Sequence, residues 1–452
     1  MGDFVIVECW RYRWVSRLRK RFQTLWKEVL GCKPPNEAFN GWFFEGLARR
    51  RPNSDSLLGP ILVSPASHVS VTLLSYVLLR KPVELKYPNT KEEAIPNLRE
   101  YLSACELVFG DEERDLFLQK QETVWRALDL GWATVLSVVR AQLHPFVGKT
   151  LEGVVKNLGE KLASAVLEIE EDIAIERAAE VDLPSQICVH QEVLPTGMIR
   201  FRVCKEDLPM ALRNQNLLYD LNPRRVEQLK LQFGRVGRNG APSVETEKFE
   251  EQVWCMLHRY QSLYGSGGVG AGWQLATPHE VMAILRDEFH VSHECFASPL
   301  NCFLPSFCSV FPDTDHCFGS KGRFSESVFQ GGGSFQAGPP YDTSIMRMLA
   351  DAICSSLETV DGPLSIVCVL PDWDRCEPIE RLKGSKFNRA SFSLAKESHR
   401  YLNGFQHFCK SKHLYVRFEC ATYVCWMQND TGFDRWKPVE DLVCKVQKSW
   451  SK

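Results

Sequence analysis

The feature that most constrains this chain is a change in hydrophobic period partway along it. From residue 56 to about 233 apolar residues recur at helical spacing, as in LFLQKQETVWRALDLGWATVLSVVRAQL and LEGVVKNLGEKLASAVLEIEEDIAIERAAEV. After about residue 245 the pattern becomes short apolar runs closed by turn residues: VSHECFA, LSIVCVLP and ATYVCWMQ. Such runs alternating with helical segments predict an α/β sheet. The stretch GRVGRNGAPS at 234–243, rich in Gly, Arg and Pro, reads as a loop between the two regimes. The expected organisation is therefore a basic N-terminal segment at 1–55, a mainly helical domain at 56–245 and an α/β domain at 246–452.

Composition removes several classes of function. With 452 residues and 44% hydrophobic content the chain can build two or three cores. Its 17 cysteines contain no C-x-x-C pair and read as reduced thiols of an intracellular protein. The most apolar early run, VSVTLLSYVLL at 69–79, is too short to span a bilayer, so no membrane partner is expected and the run reads as core. Net charge is only −2, but it is unevenly spread. Residues 11–27 carry seven basic side chains and no acidic one, with Trp14, Leu18, Phe22 and Leu25 at helical spacing. Such a basic amphipathic helix can dock by its apolar face, bind RNA or act as a nuclear-import signal. The acidic residues from Glu168 to Glu180 read as a solvated helix face.

Three apparent motifs fail on context. Gly265-Ser266-Gly267-Gly268-Val269-Gly270 fits G-x-G-x-x-G but follows a helical run, where a dinucleotide site needs a strand before it and a helix after it. His290-x-x-His293 has no second pair at metal spacing, so no metal is expected. Neither GSKGRF nor KGSKF has the spacing of a phosphate-binding loop.

What remains is a series of polar turns after strands, where ligands bind in open α/β sheets. HECFASPLNC, FPDTDHCFGS, GSFQAGPPY and VLPDW supply four of them. Together with RLKGSKFNRASFSL and WMQNDTGFDRWKP, in this order, they resemble the cap-specific adenosine N6-methyltransferases, the family of the phosphorylated C-terminal-domain-interacting factor. The likeness covers about residue 250 to the C-terminus. The N-terminal WW module of animal members has no counterpart read here, so binding to the phosphorylated polymerase tail is not expected.

The resemblance implies an α/β class I Rossmann-like methyltransferase domain behind the helical region. It implies S-adenosylmethionine as cofactor, the 5′ end of capped RNA as partner and a nuclear location, with the cytoplasm as the other choice. By position, Ser298, Pro299, Asn301, Asp313, Asp315, Phe318, Gly319, Ser334 and Phe335 would surround the cofactor, and Arg381, Lys386, Phe387 and Arg389 the RNA. The family tetrapeptide Asn-Pro-Pro-Phe would hold the amino group of adenine through the Asn carbonyl and the first proline's carbonyl, with the aromatic ring on the base. Here it reads Gly338-Pro339-Pro340-Tyr341. Strand alternation puts Gln336 on the face of Gly338, where its amide could replace the missing acceptor. The space beside Gly338 would suit an already monomethylated amine, hence dimethylation. Two further readings stay open: a non-catalytic cap-binding pseudoenzyme of the same fold, and an enzyme acting on another amino group.

Overall fold

The computed structural model describes residues 4–30, 33–35, 37–48, 111–130, 132–139, 144–180, 187–238, 249–265, 271–373 and 376–450, with positions 73, 95, 98, 99 and 102. The run at 69–79 apart from Leu73, the glycine run after Gly265, and residues 239–243 of the expected loop lie outside them. Among the described residues the chain divides into two compact units, Met1–Val15 with Ile175–Lys452 and Ser16–Arg49 with Leu58–Ala174.

The second unit is helical. It takes the later part of α1 (Phe4–Leu30), α2 (Ala38–Ala48), α3 (Asp111–Asp129), α4 (Trp132–Val138) and most of α5 (His144–Ala179). Leu18, Phe22 and Trp26 recur at helical spacing in α1 and are buried. Phe22 meets Phe39 and Trp42 of α2 at ring-centroid distances of 5.5 and 5.4 Å. The Arg19 guanidinium lies 4.2 Å over Phe39 and donates to Asn40 Oδ1 at 3.2 Å. The basic helix thus docks by its apolar stripe, while Lys20, Arg21 and Lys27 stay exposed. In α5, Val155, Leu158, Leu162, Val166, Ile169 and Ile173 are buried, while Glu168, Glu171 and Asp172 face solvent.

The first unit departs from the helical expectation at 189–221. Strands β1 (Val189–Val193), β2 (Ile199–Val203) and β3 (Leu218–Leu221) form an antiparallel sheet there. The signal is local: VHQEV and IRFRV flank Pro195-Thr196-Gly197, and Gly197 takes φ +80°, a turn conformation open to glycine. Next, α6 (Pro223–Arg238) continues through the first half of the segment read as a loop. The cost of Gly234 within a helix, about 1 kcal/mol, is offset by packing, since Phe233 buries its ring against Phe249 and Phe318.

The central sheet is built from β4 (His293–Glu294), β5 (Gly333–Ala337), β6 (Leu364–Pro371), β7 (Asn388–Leu394) and β10 (Thr422–Gln428), in the order β4-β5-β6-β10-β7. β4, β5 and β6 pair in parallel, and β10 runs antiparallel between β6 and β7. Two parallel bridges, Glu294 to Phe307 and Phe307 to Ser320, continue the pairing beyond β4.

All eight residues of β6 are buried because both faces are covered. Leu364, Ile366, Cys368 and Leu370 point toward α10 (Thr343–Thr359) and α11 (Glu377–Lys383). Val367 and Val369 point toward α8 (His279–Phe289) and α13 (Glu440–Ser449). The continuous apolar run LSIVCVLP is what a strand between two helical layers requires. A small hairpin of β8 (Arg400–Leu402) and β9 (Tyr415–Arg417) sits between β7 and β10. The remaining helices are α7 (Phe249–Tyr264), α9 (Pro312–Asp315) and α12 (Asp430–Arg435). Among the described residues no helix is long and apolar enough to cross a membrane.

Candidate active site

Parallel pairing puts the ends of β4, β5 and β6 at one end of the sheet. The turn Ser298–Asn301, the tetrapeptide Gly338–Tyr341 and Asp372-Trp373 therefore converge there. Residues 395–421 join them, since they connect Leu394 to Thr422, and Thr422 pairs with both Leu394 and Pro371.

At the first turn a polar chain is fully bonded. Tyr264 OH accepts from Gln274 Nε2 at 2.7 Å, and Gln274 Oε1 accepts from Ser298 Oγ at 2.8 Å. Asn301 Oδ1 accepts from the Ser298 amide at 2.7 Å, which closes the turn, and Pro299 O accepts from Arg225 at 3.3 Å. The next loop places its two carboxylates differently. Asp313 pairs with Arg259 at 2.8 Å, and Arg259 is also bound by buried Glu8 of α1. Asp315 is buried and accepts from Tyr260 OH at 2.7 Å and Thr314 Oγ1 at 3.0 Å. Burial pushes the Asp315 carboxyl up to about 7, against the pull of those hydroxyls.

Phe318 and Gly319 hold the loop. The Phe318 ring is buried beside Phe233, and Gly319 has φ +108°, where a Cβ would stand 2.6 Å from Pro305 O. Its closeness is to protein backbone, which makes Gly319 a packing requirement.

On β5 the faces alternate. Phe335 and Ala337 enter the core beside α10, and Phe335 meets Phe329 at 5.1 Å. Ser334, Gln336 and Gly338 take the other face. Ser334 and Gln336 are almost fully buried there, at 2% and 4% exposure, and the Ser334 hydroxyl makes no hydrogen bond among the described residues. A buried polar group without a partner costs on the order of 1–3 kcal/mol, so the Ser334 hydroxyl is suited to a polar ligand. The Gln336 amide nitrogen lies 2.8 Å from where a Cβ on residue 338 would be, with Val369 on the far side at 4.0 Å.

Pro339 is buried, and after Pro340 the chain turns directly into α10, capped by Asp342, whose carboxylate accepts from the amides of Ser344 and Ile345. Tyr341 OH meets Tyr401 OH at 3.1 Å, and Tyr401 OH meets Thr422 Oγ1 at 2.9 Å. The Tyr341 ring stands edge-on to Trp373 and Phe418, at 6.0 and 5.5 Å.

The residues expected to contact RNA are not brought to this end. Asn388 pairs with Met427, which opposes Ile366 near the start of β6, so Lys386, Phe387 and Arg389 lie at the far end of the sheet. At about 3.3 Å per residue along an eight-residue strand, that end is on the order of 20 Å away. Arg389 pairs with Asp430 there, and Arg381 pairs with Asp351 on the outer helical layer. The reason is the crossover itself: a segment that links two parallel strands must return to the starting end before the next one begins. The residues missed by sequence reading, Arg259, Glu8, Gln274 and Tyr401, come from helices, a turn and a hairpin distant in sequence, and no local pattern marks them.

Residues 232–404 match the family model described as "Phosphorylated CTD interacting factor 1 WW domain". That description names the WW module not read in the sequence, and the matched residues fold as helices and part of the mixed central sheet. The chain is 29% identical, over 98% of its length, to a human protein named mRNA (2′-O-methyladenosine-N(6)-)-methyltransferase. It is 28% identical over 97% of its length to the protein of that name from Mus musculus. It spans 66% and 65% of those relatives' lengths. The resemblance read from residues 250 to 452 is borne out, and it extends at this identity over nearly the whole chain.

Proposed function

We propose that this chain transfers a methyl group from S-adenosylmethionine to N6 of the cap-adjacent adenosine of mRNA; its relatives are named for N6 methylation of 2′-O-methyladenosine in mRNA. The observation that carries this reading is the juxtaposition at the end of β5: Pro339, Pro340 and Tyr341 follow Gly338, whose side-chain space is taken by the amide of buried Gln336. The order of the central sheet, extended by the Phe307 and Ser320 bridges and reversed at β10, supports a class I Rossmann-like domain.

The donor set fits the cofactor. Ser334 offers an unused buried hydroxyl, Asp315 a buried carboxyl and Ser298–Asn301 a polar turn. S-adenosylmethionine, when bound, supplies a methyl group activated on a sulfonium. Gln336 Oε1 would accept one N6 hydrogen and the Pro339 carbonyl another, turning the nitrogen lone pair toward the methyl. Tyr341 would stack on the adenine. Attack by the N6 lone pair so oriented would displace the thioether from the methyl group, and the extra N6 proton would pass to solvent. Preorganised acceptors and alignment of the two reactants are the chain's whole contribution, and alignment alone is worth roughly 7–11 kcal/mol.

The Gln336 amide takes the space beside Gly338, so the room expected there for a second N6 methyl is filled, and the product we propose is N6-methyladenosine. We place the activity in the nucleus. The test is mass spectrometry of nucleosides from capped RNAs starting with 2′-O-methyladenosine, unmodified or N6-monomethylated, after incubation with the protein and S-adenosylmethionine. New N6-methylated nucleoside is the expected result. Bound cap and cofactor with no product from either acceptor would make the chain a pseudoenzyme.

A further inference from the structure

Lys386, Phe387 and Arg389 lie at the far end of the sheet, so the RNA must be held by other residues. The 395–421 segment is the one that sits over the tetrapeptide. It carries Lys396, Arg400, Lys410, Lys412 and Arg417 against Glu397 and Glu419, a positive surplus in a chain of net charge −2. At its tip the Phe408 ring is 46% exposed, in contrast to the buried aromatic residues below it. It is nevertheless fixed, stacked on Phe405 at 5.1 Å with planes 29° apart and edged by His407 at 4.8 Å.

The tip is tied to the site. Asn222 Nδ2 donates to Gln406 O at 2.8 Å, and Arg225 donates both to Gln406 Oε1 at 2.9 Å and to Pro299 O at 3.3 Å. One buried guanidinium thus joins the aromatic tip to the Ser298–Asn301 turn. At the base of the segment, Tyr401 meets Tyr341. An exposed, rigid ring flanked by Lys410 and Lys412 matches what a single-stranded nucleic acid needs: a face for a base and cations for its phosphates.

We infer that residues 395–421 are the RNA-holding surface, with Phe408 as the stacking platform and Lys410 and Lys412 as the phosphate contacts. This rests on the function proposed above. The probe is a fluorescein-labelled, capped 15-nucleotide RNA beginning with 2′-O-methyladenosine, bound to the full chain and read by anisotropy. Phe408→Ala should weaken binding roughly five- to hundredfold, from the worth of one stacked base, and Phe408→Trp should restore it. The Lys410→Ala/Lys412→Ala pair should lower the slope of log K against log salt by about 1.4, the loss of two single-strand phosphate contacts. Lys386→Ala should change neither.

Unchanged RNA affinity in both Phe408→Ala and the lysine pair would overturn the assignment, as would equal losses for Lys386→Ala. So would binding of a polyglutamate peptide that depends on the same residues while the RNA does not bind. RNA binding that depends on Phe408 with no methyl transfer would sink the proposed reaction and leave this surface standing. Transfer with an unaltered KM in Phe408→Ala would do the reverse.

Discussion

The amide nitrogen of Gln336 stands 2.8 Å from the point a Cβ on Gly338 would occupy, so the two positions share one space. Only one of them can put a side chain there. Gln336→Ala should lower kcat by about 10²–10³, the cost of one preorganised hydrogen-bond partner. Gly338→Ala should act similarly by displacing the amide, since its neighbour is the far end of a flexible side chain. Combining Gln336→Ala with Gly338→Asn should recover monomethylation, read by product mass spectrometry.

Tyr341 has two separable parts, a ring edged by Trp373 and Phe418 and a hydroxyl bonded to Tyr401. Tyr341→Phe keeps the ring and should hold kcat/KM within a few-fold. Tyr341→Ala removes the stacking surface and should cost tenfold or more, as base stacking on an aromatic is worth about 1–3 kcal/mol. Equal effects of the two changes would refute a stacking role.

Arg259 is 5% exposed and neutralises Glu8, whose side chain is fully buried. Arg259→Met should therefore destabilise the fold by about 1–3 kcal/mol, because buried Glu8 keeps Arg11 but loses its bonds to the Arg259 guanidinium. Adding Glu8→Gln should return part of that loss. Denaturant titrations of the single and double variants measure it.

Asp315 holds its proton to about pH 7 because it is buried. In the unfolded chain it would lose the proton near pH 4. Its contribution to stability is therefore complete below about pH 4 and is lost as the pH rises toward 7. Asp315→Asn should flatten that part of the stability–pH curve relative to the parent protein. Parallel curves for the two would show that Asp315 does not titrate across this window.

Gly432 lies against β6, where a Cβ would come within 2.1 Å of Leu364 O and 2.9 Å of Asn429 Oδ1. The same Asn429 oxygen accepts from the Leu364 and Gly432 amides and so locks α12 to the strand. Gly432→Ala should cost about 2 kcal/mol or more through overpacking against backbone that cannot yield. A melting temperature within a degree of the parent's would contradict it.

Period and turn chemistry settled a good deal in advance. The two-faced burial of LSIVCVLP, the helical stripe of residues 11–27 and the strand endings at Ala337 and Pro371 follow from local rules of side-chain direction, which need only neighbours in sequence. Those rules also brought Gln336 and Gly338 to one face. They failed at 189–221 and at Gly234, where a short antiparallel sheet and the packing of Phe233 overrode a weak local preference. They could not position Arg381, Lys386, Phe387 and Arg389. Which end of the sheet a segment occupies is set by strand direction and by the crossover, and β10 reverses that direction without any local sign. Nor could the sequence pair Glu8 with Arg259 across 251 positions or lay Tyr401 on Tyr341, because such contacts exist only once distant elements have packed.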